Sequence, residues 1–141
     1  MKKQIYPCLW FDGKAQEAAK FYCSVFPNST ITADNQMVVT FDLNGTRFMG
    51  LNGGPQFVFN EALSFVIECQ DQAEIDHYWS ELTADGGQEG SCGWLKDKFG
   101  LSWQVVPAIL PELLSDPERA PRVLQAYMKM KKFEIDELMS A

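Results

Sequence analysis

The clearest pattern in the chain is a strict alternation in its last third. From Leu101 to Val106 the side chains Leu101, Trp103 and Val105 fall on one face of an extended strand, and Ser102, Gln104 and Val106 on the other. Lys98-Phe99-Gly100 precedes them as a tight hairpin, with Gly100 supplying a positive φ. Earlier in the chain, residues 4 to 11 (QIYPCLWF) predict a strand. Residues 12 to 29 predict a helix with Ala15, Ala18, Ala19, Tyr22 and Phe26 on its apolar stripe, closed by Pro27-Asn28. Three extended pieces follow: a weak one around Ile31, then residues 36 to 43, then residues 46 to 52, the last two joined by the hairpin dipeptide Asn44-Gly45.

The second half repeats this order. A strand over residues 62 to 69 leads to a helix over 71 to 84 that stops at Asp85-Gly86-Gly87, and the Gly100 hairpin closes the unit. Phe21-Tyr22 and Tyr78-Trp79 match at an offset of 57, and Gly45 and Gly100 at 55. The pattern predicts an α+β fold of two tandem βαβββ modules forming a curled mixed sheet around a cleft, with C-terminal helices, in a single domain. Module one is placed at 1–53, module two at 60–107 and the helical tail at 108–141. The run Asn52-Gly53-Gly54-Pro55 lacks the strand-to-helix setting of a phosphate loop and reads as the linker. In the tail, Asp116-Pro117 marks a start and Pro121 begins the main helix, with Val123, Leu124, Tyr127 and Met128 on its stripe. Lys129, Lys131 and Lys132 suit the negative end of that helix. The stripe packs either on its own domain or on a second subunit.

Composition narrows the function classes. The chain has 141 residues, 46% of them hydrophobic, enough for a core without disulfide or metal staples. A net charge of −7 argues against nucleic acid and anionic membrane surfaces, which need a clustered positive field. The N-terminal apolar run is too short for an export signal, and no stretch nears the roughly 20 apolar residues of a membrane span. Cys8, Cys23, Cys69 and Cys92 are widely spaced with no C-x-x-C pair. Cys8, Cys23 and Cys69 read as reduced, mostly buried side chains of a cytoplasmic protein, with a reactive thiol left open at Cys8 or Cys92.

The segments LWFDGKAQEAAKFYCSVFPNS, FMGLNGGP and CGWLKDKFGLSWQVVP resemble the vicinal oxygen chelate superfamily, which includes glyoxalase I, extradiol dioxygenases and the bleomycin and fosfomycin resistance proteins. Within it they look like the PhnB-like branch, labelled demethylubiquinone methyltransferase-like, and the tail from Asp116 fits that branch too. The resemblance implies a homodimer pairing modules across subunits. It also implies, for the superfamily's enzymes, a divalent metal held by His, Glu or Gln from the first and last strand of each module. Here the last-strand ligand matches Gln104, and its counterpart one repeat earlier is Met49, a thioether ill suited to hard ions. The family histidine falls at or beside Ala62, with Glu61 adjacent, and the first strand offers no histidine. His77, the chain's one histidine, lies toward the wet side of its helix. No metal and no cofactor are expected on these positions, and no catalytic residue stands out.

Gln104 then reads as a hydrogen-bonding group in a metal-free cleft, or as a structural glutamine bridging strands. Alternation places Ser102, Arg47, Met49, Ser64, Val66, Tyr6, Cys8 and Trp10 on the same face. Arg47 either favours an anionic ligand or is a solvated strand-end charge, and Trp94 either packs in the core or walls the cleft mouth. The expected function is binding of an unidentified small molecule. The alternatives are a metal-dependent lyase or isomerase, the methyltransferase of the family label, and an interaction module docking through its tail helix.

Overall fold

The computed structural model describes residues 3–141. The first two residues, which belong to the N-terminal stretch weighed as an export signal, lie outside the described residues. The chain divides into two compact units, one up to Phe59 and one from Asn60 to Ala141.

The first unit runs β1 (Cys8–Phe11), α1 (Ala15–Val25), β2 (Thr30–Asp34), β3 (Val38–Leu43), β4 (Thr46–Asn52). Its sheet has the order β1-β4-β3-β2, with β1 parallel to β4 and the other pairs antiparallel. Positive φ at both Asn44 and Gly45 gives the β3–β4 hairpin the turn its dipeptide predicts. Alanines line α1 because the helix lies close on the sheet: a Cβ at Gly50 would stand 3.2 Å from the Ala15 Cβ and 3.0 Å from Val39. Ala15, Ala18, Ala19 and Tyr22 are fully buried against Leu9, Phe41 and Val39, while Phe26, assigned to the same stripe, is only half-buried and Val25 takes the inward place. The helix is shorter than predicted, because its first N–H is capped by Asn52 Oδ1 at 2.9 Å and Asn28 leaves helical geometry with φ 52°. The first strand is shorter too. It starts at Cys8, since Pro7 has no N–H to donate and offers only its carbonyl, which accepts from Met49 N at 3.0 Å.

The second unit repeats the order: β5 (Ser64–Cys69), α2 (Gln72–Thr83), β6 (Gln88–Glu89), β7 (Trp94–Lys96), β8 (Ser102–Pro107), with sheet order β5-β8-β7-β6 and β5 parallel to β8. Asp71 caps α2 by accepting from Glu74 N at 2.9 Å, and Ile75, Tyr78, Trp79 and Leu82 face the sheet. The predicted stop at Asp85-Gly86 has positive φ at both residues.

Three helices follow, α3 (Leu110–Ser115), α4 (Ala120–Met128) and α5 (Ile135–Ser140), of which only α4 is announced by its pattern. Pro121 opens α4 as expected, but its stripe is narrower than predicted: Val123 is buried, whereas Leu124 and Met128 are exposed. What fixes the tail is the stretch after α4. Met130 O and Lys131 O accept from Cys92 N and Gly93 N, both at 2.8 Å, and Phe133 is fully buried. Gln72 clamps this stretch from α2, donating to Phe133 O at 2.9 Å and accepting from Ile135 N at 2.8 Å. Lys132 is drawn off the helix end it was expected to serve, to Asp76 at 2.6 Å. Among the described residues no helix is long and apolar enough to cross a membrane.

Candidate functional site

In each unit the helix covers one sheet face and the strand alternation sets the other. In the first, Cys8, Arg47 and Met49 sit opposite the buried Leu9, Phe48 and Gly50, and Cys8 pairs directly with Met49. Cys8 is therefore exposed, not buried as its apolar neighbours suggested; Cys23 is half-buried and Cys69 alone of the three is buried. Trp10 shares the Cys8 face, but its indole is taken up locally. It donates to Gly54 O at 2.8 Å, meets Phe57 edge-on at 4.9 Å, and lies where a side chain on Gly53 would have to go. The glycines of the 52–55 run thus shape a seat for Trp10. Tyr6 lies ahead of the strand, exposed, under the Arg47 guanidinium at 5.7 Å. Arg47 also donates to Gln4 Oε1 at 2.8 Å and has Asp42 at 3.8 Å, so its charge has a carboxylate beside it.

The second unit brings the predicted residues together more closely. Across the parallel pair, Ser64 sits opposite Ser102 and Val66 opposite Gln104, and Trp94 lies opposite Gln104 on the other side. Gln104, half-buried, donates from Nε2 to Ser64 Oγ at 2.9 Å; its Oε1 has no partner among the described residues. On one side of it a hollow of about 260 Å³ is lined by Val66, Glu68, Gln104 and Val106 of the sheet and by Leu110 and Pro111 from the tail. A second hollow of about 220 Å³, which Gln104 does not line, is walled by Trp94, Lys96, Gln88, Glu61 and Ser102. Ser102, placed by alternation on the open face, is 1% exposed, and its Oγ has no hydrogen-bond partner.

Sequence reasoning placed Val106 on this face without naming it a ligand contact, and omitted Lys96 and the tail's Leu110 and Pro111. Alternation could have found Lys96, which is two residues from Trp94. Leu110 and Pro111 carry no local signal. Glu61, kept as a carboxylate near a metal, instead forms an ion pair with Lys96, whose hydrogen bond holds its carboxyl below the usual range. His77 is exposed on α2 and stacks edge-on with Tyr78 at 5.0 Å.

Residues 3–106 match the model of the family described as 3-demethylubiquinone-9 3-methyltransferase. The chain belongs to that family. Among solved structures, this family member is similar to a PhnB protein from Bacillus cereus at 32% identity, covering 75% of this chain and 100% of that one with a TM-score of 0.67. Protein PA1353 from Pseudomonas aeruginosa matches at 20% identity over 75% and 98% of the two chains, with a TM-score of 0.63. The fosfomycin resistance protein FosX from Listeria monocytogenes, solved with Mn(II) and sulfate, matches at 14% over 81% and 96%, with a TM-score of 0.61. The latter two show a shared fold alone. No curated protein sequence matches the chain.

The metal of this fold and the cofactor of the family description can both be tested against the side chains. At the paired open-face positions the donors are a thiol and a thioether in the first unit, and a carboxamide beside an isopropyl group in the second. Among the described residues no three of His, Cys, Asp and Glu gather. Hard divalent ions need several oxygen or nitrogen donors, so this set does not fit one. For S-adenosylmethionine the strand-to-helix turns matter. Neither is glycine-rich, and both helix starts are capped from within, α1 by Asn52 and α2 by Asp71. These turns do not fit a nucleoside cofactor.

Proposed function

We propose that the chain is a small-molecule-binding protein whose site lies on the open face of the second unit's sheet, centred on Gln104, and which works without a catalytic metal. The observation that carries this reading is the half-buried Gln104 carboxamide lining the 260 Å³ hollow, its carbonyl oxygen free to accept while its amide is fixed by Ser64. A polar group held in this way, with an open acceptor beside apolar wall residues, suits orienting a ligand rather than filling a core. The superfamily resemblance supports a homodimer, the net charge of −7 disfavours nucleic acid and anionic membranes as partners, and the widely spaced free cysteines favour the cytoplasm. The anionic ligand expected from Arg47 draws little support from its surroundings, because Asp42 already stands beside the guanidinium.

Native mass spectrometry of protein purified without added metal tests the reading, reporting subunit count, bound metal and any co-purified molecule together. A retained organic molecule, released about 5- to 100-fold faster from Gln104→Ala, is the expected result. Stoichiometric divalent metal would overturn the metal-free part, and an affinity unchanged in Gln104→Ala would overturn the role of the glutamine. The family description favours a second reading, methyl transfer. Calorimetric titration with S-adenosylmethionine decides it, and saturable binding would support it.

A further inference from the structure

Of the two hollows in the second unit, the one toward the hairpin carries a feature that packing does not explain. Ser102 is 1% exposed, its Oγ has no hydrogen-bond partner, and it lines the 220 Å³ hollow. A buried hydroxyl left unpaired destabilises a fold, and a nearby acceptor or donor normally removes the penalty. The charged groups around it are engaged, Lys96 with Glu61, and Glu89 with the Trp79 indole N–H at 3.0 Å, and the other polar wall residue, Gln88, is exposed. The apolar part of the wall is made by Trp94 and Leu95, and Gly90 lies so close to the Trp94 backbone that a Cβ there would stand 2.7 Å from its carbonyl oxygen.

We infer that this hollow binds an uncharged, mainly apolar single-ring molecule with one hydrogen-bonding group, held through that group by Ser102 Oγ and through its ring by Trp94. Size sets the first limit: an apolar cavity of about 150 Å³ holds benzene, so 220 Å³ takes one ring with a small substituent. Charge sets the second: Lys96 is paired with Glu61, and Glu89, engaged by the Trp79 indole N–H, leaves the rim net negative, so an anion is disfavoured and no unpaired carboxylate is offered to a cation. The indole supplies a flat apolar surface suited to a ring. The hydroxyl, which donates or accepts, then gains the partner that the fold withholds.

This inference rests on the reading that the sheet face takes a small molecule, and the test separates the two. The full chain is titrated with p-cresol, with toluene, and with 4-methylbenzoate, followed by amide chemical shifts in two-dimensional NMR. The expected result is saturable binding of p-cresol, shifting the amides of residues 94–96 and 102, with affinity lowered about five- to tenfold in Ser102→Ala and toluene binding unchanged by that substitution. The unliganded Ser102→Ala protein should melt at the same temperature or up to about 4 °C higher, since it loses an unpaired buried oxygen. Ser102→Cys, near-isosteric and a weaker hydrogen bonder, serves as the second variant, with the same direction of effect. If p-cresol binding falls in Gln104→Ala but not in either Ser102 variant, the inference fails while the Gln104 reading stands. Tighter binding of 4-methylbenzoate than of p-cresol, no shifts at these amides, or a melting temperature several degrees lower in Ser102→Ala would each overturn it, the last by revealing a structural partner for the hydroxyl.

Discussion

Asp97 accepts the indole N–H of Trp103 at 2.9 Å across the turn of the closing hairpin, with both residues buried. Its other carboxylate oxygen accepts from Phe99 N at 2.9 Å and Leu101 N at 3.1 Å. One side chain thus closes the turn from inside and fixes the rotamer of the tryptophan whose strand carries Ser102 and Gln104. A carboxylate 2% exposed and bonded in this way should be intolerant of change. Asp97→Ala leaves a buried indole N–H unpaired as well as two turn amides, and should cost about 3 to 5 kcal/mol. Asp97→Asn, which keeps acceptor capacity on one oxygen only, should cost about 1 to 2 kcal/mol. Urea unfolding followed by tryptophan fluorescence measures both; a loss below 1 kcal/mol for the alanine variant would refute the role.

Gly93 is where this hairpin meets the tail, its N–H donating to Lys131 O at 2.8 Å. Its φ is +83°, and a Cβ would lie 2.5 Å from the Phe133 ring and 2.8 Å from Val105 O. Gly93→Ala therefore combines backbone strain with overpacking against a fully buried ring, and should destabilise by about 2 to 4 kcal/mol. The tail should loosen first, because Phe133 is the flexible side of the clash. Limited proteolysis should cut near residues 129–134 of the variant before any other site, and an intact tail at equal stability would argue against it.

The contrast between Gly100 and Asp97 shows how much was legible. Gly100 announces its turn because positive φ is a local property of one residue, and the alternation of Leu101, Trp103 and Val105 announces which face meets the helix. The repeat, with its helix stripes and hairpin glycines, made the two βαβββ modules readable for the same reason. Asp97 carries no comparable signal, since nothing in a one-residue window says that a turn carboxylate points inward. Ser102 was placed on the right face but its burial was not foreseen, because burial there depends on residues 40 or so positions away along the chain, not on neighbours. Phe133, which anchors the tail, follows a run of lysines with no periodicity, and its partner Gly93 is in another element. Short helices such as α3 and α5 span too few turns to display a stripe at all.

The clamp between α2 and the tail should respond to pH at both ends of the scale. The hydrogen bond from Lys132, joined by one from Gln72, lowers the Asp76 carboxyl below its ordinary 3.8, and the hydrogen bond to Asp76 raises the Lys132 ammonium above its ordinary 10.5. A carboxyl lowered by folding stabilises above its unfolded value and loses that contribution as pH falls through its folded one. An ammonium raised by folding stabilises below its unfolded value and loses that contribution as pH rises through its folded one. The melting temperature should therefore fall below pH 3.8 and again above pH 10.5 by more than in Asp76→Asn, in which the carboxyl contribution vanishes and Lys132 keeps only its weaker contact with Glu134 at 3.6 Å. Because the pair is exposed, the difference should shrink in 1 M salt. Parallel melting curves for the two proteins across the whole range would contradict the pairing.

The thiols should separate by burial. Cys69 has no exposed surface, lies at the end of β5, and is pushed up to about 12 by burial, with Glu74 and Asp71 adding to the rise. At pH 8 almost none of it is thiolate, and the thiolate is the species that alkylates. Cys8 is exposed on the edge strand of the first sheet. Treatment of the native protein with iodoacetamide at pH 8 should label Cys8 first and leave Cys69 untouched over hours, as peptide mass mapping reports. In urea beyond the unfolding midpoint Cys69 should react as fast as the others, because its protection comes entirely from folded structure. Early labelling of Cys69 in the native state would mean that β5 opens on the timescale of the reagent, and would place the Ser64 support of Gln104 on a mobile strand.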